Sequence, residues 1–131
     1  NRHGTKCCVV LIDIDDFKDI NDTYGHDVGD TILREFSDLV RLYIRASDCA
    51  SRHGGDEFLL CLPDTDTDMA HTVIDRLSKK IAGHEYHSKI RLTASFGIAL
   101  LSSGIKESIR KADKAMYLSK SKGKNHVSIF K

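Results

Sequence analysis

Six consecutive apolar residues, Cys7-Cys8-Val9-Val10-Leu11-Ile12, run without a break into Asp13-Ile14-Asp15-Asp16. A run this short and this rich in β-branched side chains predicts a fully buried strand, from about Lys6 to Ile12. A strand buried on both faces that ends abruptly in acid is a strong constraint. The rest of the chain must cover it and still leave its carboxyl end accessible.

Phe17 to Tyr24 reads as a short helix or turn. From Asp27 to about Ala46, Val28, Ile32, Phe36, Leu39, Val40, Tyr43 and Ile44 recur at helical spacing with charged residues between them. Cys49 to His53 leads into Gly54-Gly55, a two-residue hairpin turn, and Phe58 to Leu62 reads as the returning, buried strand. A second long helix runs from Asp66 to Ala82, with Asp66 or Thr67 able to cap it. Ile90 to Leu100 alternates with period two and predicts a strand. Ile105 to about Ser121 is a third helix, ended by Gly123, and His126 to Phe130 a last short strand. The first six elements spell β-α-β-β-α-β, a ferredoxin-like unit of the α+β class, with a helix and a strand added at the C-terminus. At 131 residues the chain suits a single domain, residues 1–131.

Pairing the first and third strands antiparallel would bring Asp13, at the end of one, near Asp56 and Glu57, at the start of the other. Three carboxylates about 5 Å apart repel by roughly 3 kcal/mol per pair at an effective dielectric near 20. Either a proton is taken up, raising one pKa, or a hard dication binds. Oxygen-only ligands favour magnesium or manganese over zinc, and such sites complete their shells with water and phosphate oxygens. Taken singly, each acid is more simply a solvated residue at a strand end; the three together point to nucleotide phosphoryl chemistry.

Other classes fall away. Twenty basic residues nearly cancel nineteen acidic ones, so net charge suggests no nucleic-acid partner. No apolar run approaches the ~20 residues of a membrane helix, and no signal peptide is expected. Cys7, Cys8, Cys49 and Cys61 form no Cys-x-x-Cys pair and read as buried thiols of a reducing cytoplasm. The abrupt opening suggests a fragment of something longer.

Gly54-Gly55-Asp56-Glu57-Phe58, preceded by Arg52, is the signature of the GGDEF family. It is joined by Asp13-Ile14-Asp15-Asp16-Phe17-Lys18-Asp19-Ile20-Asn21-Asp22 and Tyr24-Gly25-His26-Asp27-Val28-Gly29-Asp30. Downstream stand Ser95-Phe96-Gly97-Ile98-Ala99, Ala112-Asp113-Lys114-Ala115-Met116-Tyr117, Lys120 and Gly123-Lys124-Asn125. The chain thus resembles, over nearly its whole length, the catalytic domain of a bacterial diguanylate cyclase, of palm or nucleotidyl cyclase-like fold. The resemblance implies condensation of two GTP molecules into cyclic di-GMP by a homodimer, with Mg2+ or Mn2+. Asp13, the Ile14 carbonyl, Asp56 and Glu57 would bind the metal, with Asp56 as base, and Lys18 would neutralise phosphate during transfer. Asn21 and Asp30 match the guanine-reading pair, Asp accepting from N1–H and N2–H2 and Asn serving the acceptors. Lys120 and Lys124 match terminal-phosphate positions; Gly54, Gly55 and His26 belong to the substrate loops, although His26 could equally only shape its loop.

Arg45-Ala46-Ser47-Asp48 resembles the family's inhibitory Arg-x-x-Asp motif, and Arg76 falls where another product-binding arginine is often found; Arg45 and Asp48 could instead form a helix-end ion pair. The sequence departs from the family at Lys124, more often Arg, at His53, more often aromatic, and at Asp16, more often aromatic or His. The resemblance also implies an upstream sensor domain in a longer protein, in the cytoplasm or as the cytoplasmic part of a membrane-anchored sensor, with no direct membrane contact. A receptor for cyclic di-GMP or GTP without catalysis is the competing reading.

Overall fold

A computed structural model describes residues 6–44, 49–52, 55–102 and 104–131, with side chains left out at 49–52. Its elements in chain order are β1 (Cys7–Ile14), α1 (Phe17–Tyr24), α2 (His26–Leu42), β2 (Cys49–Arg52), β3 (Glu57–Pro63), α3 (Thr67–Gly83), β4 (Ala94–Leu100), α4 (Ile105–Ser121) and β5 (Val127–Ile129). The five strands form one sheet in the order β2-β3-β1-β4-β5. β1 lies at its centre, antiparallel to β3 and β4, while β5 pairs parallel to β4. The β-α-β-β-α-β core and its C-terminal addition are those expected.

The double burial of β1 has a direct cause. Cys8, Val10, Ile12 and Ile14 enter the larger core with Ile32, Phe36 and Val40 of α2 and Ala70, Ile74, Leu77 and Ile81 of α3. Val9 and Leu11, on the other face, meet Ala99 of β4 and Ala112 and Met116 of α4. β3 is buried only at alternate residues, Phe58, Leu60 and Leu62. Gly97 lets α4 close on β4: a Cβ there would stand 2.0 Å from the Ala112 carbonyl oxygen and 2.4 Å from the Met116 nitrogen. Asp66 caps α3, its carboxylate accepting from Met69 N–H at 2.8 Å.

Two expectations change. Regular pairing in the fourth strand begins at Ala94, not Ile90. Ile90 bridges back to Tyr86 around His87 and Ser88, both at positive φ, and it keeps its period-two burial by entering the same core. α2 ends at Leu42, with Tyr43 at its C-cap, not near Ala46. Of the expected buried thiols, Cys8 is buried and donates to the Thr65 carbonyl at 3.2 Å, whereas Cys7 and Cys61 are half-buried on the other sheet face. Among the described residues no helix is long and apolar enough to cross a membrane.

Candidate active site

The antiparallel register of β1 and β3 sets Asp13 directly across from Glu57. One residue on, the Ile14 N–H donates to the Asp56 carbonyl at 3.2 Å, which ties the end of β1 to the residue just before β3. Asp13 is buried, at 8% exposure, while Asp56 and Glu57 are half-buried. Among the described residues its Oδ1 is buried without a hydrogen-bond partner, and its Oδ2 is ion-paired with Lys120 of α4. Burial pushes the Asp13 carboxyl up to about 6; the Lys120 hydrogen bond opposes this and the charge of Asp56 adds to it. Asp13 and Asp56 therefore do share a field at one end of the central strands. Glu57 stands beside them in the ladder, and among the described residues no three Asp, Glu, His or Cys side chains close into one ligand group.

A buried carboxylate oxygen without a donor is costly, and a hard cation is what oxygen ligands of this kind accept. Asp13, with the nearby Asp56, therefore fits the divalent ion implied by the sequence. Lys120 already supplies one positive charge there.

Asp15, outside the site residues that the motifs point to, acts as a clamp. Its buried carboxylate accepts from the Thr93 hydroxyl at 2.6 Å, the Ser95 hydroxyl at 2.7 Å and the Asn125 N–H at 3.0 Å. The last bond holds the turn of Gly123, Lys124 and Asn125, all three at positive φ. The sequence carries a signal for it: Thr93 and Ser95 are two residues apart at the start of β4, with Ser95 opposite Asp13. Lys124, borne on that turn, pairs with Asp16, so two of the departures from the family pattern touch each other. That contact holds the Lys124 ammonium protonated more firmly than usual.

Lys18 is exposed on α1 and forms an ion pair with Asp22 at 3.3 Å; it is not drawn to Asp13. Asn21 lies on the same helix, half-buried, with its side chain against Gly29 of α2; Asp30 follows Gly29 and is exposed, as is His26 at the start of α2. Arg76 is exposed on α3. Gly55 is exposed immediately before Asp56, while Gly54, Arg45 and Asp48 lie outside the described residues.

Residues 1–126 match the family model described as "Diguanylate cyclase, GGDEF domain". The chain is 37% identical over 129 residues to diguanylate cyclase A of Treponema denticola, covering 94% of this chain and 35% of that protein. It is 35% identical over 133 residues to the response regulator PleD of Caulobacter vibrioides, covering 95% and 29%. The chain thus spans about a third of the length of these curated relatives. Among solved structures, the active GGEEF domain of a diguanylate cyclase from Vibrio cholerae superposes with a TM-score of 0.90 at 29% identity, covering 96% of this chain and 83% of that one. The GGDEF domain of DgcB from Caulobacter crescentus, solved with c-di-GMP, superposes with a TM-score of 0.88 at 29% identity, covering 96% and 78%.

Proposed function

The chain belongs to the diguanylate cyclase GGDEF-domain family, and from that premise we propose that it condenses two GTP molecules into cyclic di-GMP with release of two pyrophosphates. Two copies face each other, each holding one GTP. The 3′-hydroxyl of each nucleotide attacks the α-phosphate of the other, a phosphodiester bond forms, and pyrophosphate leaves. Pairing the two copies turns an encounter of two substrates into a positioned reaction.

The observation that carries this reading is Asp13: a buried carboxylate whose Oδ1 has no partner among the described residues, within the field of Asp56 at the end of the central strand. Asp13, the Ile14 carbonyl, Asp56 and Glu57 are the groups to hold a magnesium or manganese ion, which would offset charge developing on the phosphate. Asp56 takes the proton of the attacking hydroxyl. Lys120, in the site through its contact with Asp13, and Lys124 bind the terminal phosphates, and Lys18 leaves its exposed partner Asp22 to do the same during transfer. The Lys124–Asp16 pair is solvent-exposed on both sides, so a triphosphate competes with it readily. Asn21 and Asp30 read guanine, and Gly54, Gly55 and His26 line the substrate. Arg45, Asp48 and Arg76 bind product and limit the reaction. The chain works in the cytoplasm, under a sensor domain of the longer protein.

The test is incubation with GTP and magnesium at rising protein concentration, with products separated by chromatography. Cyclic di-GMP and pyrophosphate should appear in a 1:2 ratio, at a rate rising faster than linearly with protein, and Asp56→Ala should give none while keeping its fold. Bound GTP without product at high protein concentration would make the chain a receptor instead.

A further inference from the structure

Gly29 sits in the first turns of α2, in ordinary helical conformation and buried, where any residue type except proline would form the helix better. Its backbone gives no reason for glycine; its surroundings do. A Cβ built at Gly29 would lie 1.9 Å from Asn21 Oδ1 and 3.0 Å from Asn21 Cγ, with Phe17 Cζ next at 3.4 Å. The Asn21 carboxamide therefore occupies the space of the missing side chain. Its oxygen end rests on Gly29, and its nitrogen end is the one farther from the Gly29 Cβ position. The Asn21 backbone is held as well, since its carbonyl accepts from Gly25 N–H at 2.8 Å. With the backbone held and the amide lying in this gap, Gly29 sets how close the carboxamide comes to α2.

We propose that Gly29 is a positioning residue for base recognition: the gap it leaves seats the Asn21 carboxamide so that its N–H2 faces the guanine acceptors. This rests on the reading of Asn21 and Asp30 as the guanine pair and adds what fixes the Asn21 rotamer. The chemistry follows from the donor inventory. A carboxamide turned end for end offers an oxygen where guanine also offers oxygen, and the two repel. Discrimination against adenine then weakens, because adenine presents an amino group at that position and a rotated amide oxygen would accept from it.

The clash is with the tip of a flexible side chain, not with backbone, so Gly29→Ala should fold normally while displacing Asn21. That separates a positioning role from a structural one. The probe is equilibrium displacement of mant-GTP by GTP and by ATP, read beside the thermal unfolding midpoint. Gly29→Ala should keep or raise the midpoint, weaken GTP about tenfold, the worth of one recognition hydrogen bond, and narrow the GTP-to-ATP preference. Asn21→Ala should weaken GTP by a similar factor. In the Asn21→Ala background there is nothing left to displace, so adding Gly29→Ala should change GTP affinity less than twofold.

Equal losses from Gly29→Ala with and without Asn21 would overturn the proposal, as would an unaltered GTP affinity in Gly29→Ala when Asn21→Ala is weakened. If Asn21→Ala itself binds GTP normally, the guanine assignment fails and the positioning role fails with it. Gly29→Ser, which adds a larger group at the same place, should exceed Gly29→Ala in its effect on GTP; a smaller effect contradicts the steric account.

Discussion

Replacing Asp13 by asparagine should flatten the pH dependence of stability in the metal-free protein. In the unfolded chain this carboxyl ionises near 3.8, and in the fold burial lifts it to about 6. Between those values the native state keeps a proton that the unfolded state has lost. Stability then falls as pH rises through the window, and the loss is complete above about 6. The gap from 3.8 to about 6 corresponds to about 3 kcal/mol. For a chain of this length that is about 10 °C in unfolding midpoint. The quantity to measure is the difference between the two proteins, which isolates Asp13. Thermal unfolding followed by circular dichroism from pH 4 to pH 7 in EDTA should show wild type losing about 2 kcal/mol more than Asp13→Asn, since part of the total is already lost at pH 4. Magnesium should shrink that difference, because an ion that binds the ionised carboxylate favours the form that burial disfavours. Lys120→Met should move the descent to higher pH, since the Lys120 hydrogen bond is what holds this carboxyl down. Parallel curves for wild type and Asp13→Asn across the whole range would refute the reasoning.

Gly97→Ala should lower stability by about 3 kcal/mol in chemical denaturation, because the new methyl meets the α4 backbone at 2.0 Å and the helix must lift from the sheet. Asp15→Ala should cost about 3 kcal/mol by leaving the Thr93 and Ser95 hydroxyls and the Asn125 N–H without their acceptor, and should raise the KM for GTP by loosening the turn that carries Lys124. Asp16→Asn should leave the unfolding midpoint unchanged and lower the KM for GTP by about twofold by freeing Lys124 from an exposed pair.

The central strand and the acid at its end were legible because both come from local pattern. Six apolar residues in a row need cover on two faces, and α2, α3 and α4 supply it. The meeting of Asp13 with Asp56 then follows from one antiparallel pairing. What was not legible depends on chain segments far apart. The contacts of Lys120 with Asp13 and of Lys124 with Asp16 each span more than a hundred residues, and no spacing rule reaches that far. Ile90 and Leu92 mimic a strand because burial in a shared core imposes the same alternation that a ladder does. The reason for Gly29 is equally hidden, since the sequence gives a glycine within a helix but not the amide that fills its place. Lys18 illustrates the opposite limit: its place in the motif is plain, yet the ion pair it makes is with its own helix.

The most direct test of the account is the position of manganese in crystals grown with a non-hydrolysable GTP analogue, read from anomalous scattering. A peak within about 2.0–2.5 Å of carboxylate oxygens of Asp13 and Asp56, with phosphate on its far side, is the predicted result. A nucleotide bound with no peak there, Lys120 still seated on Asp13, would contradict it.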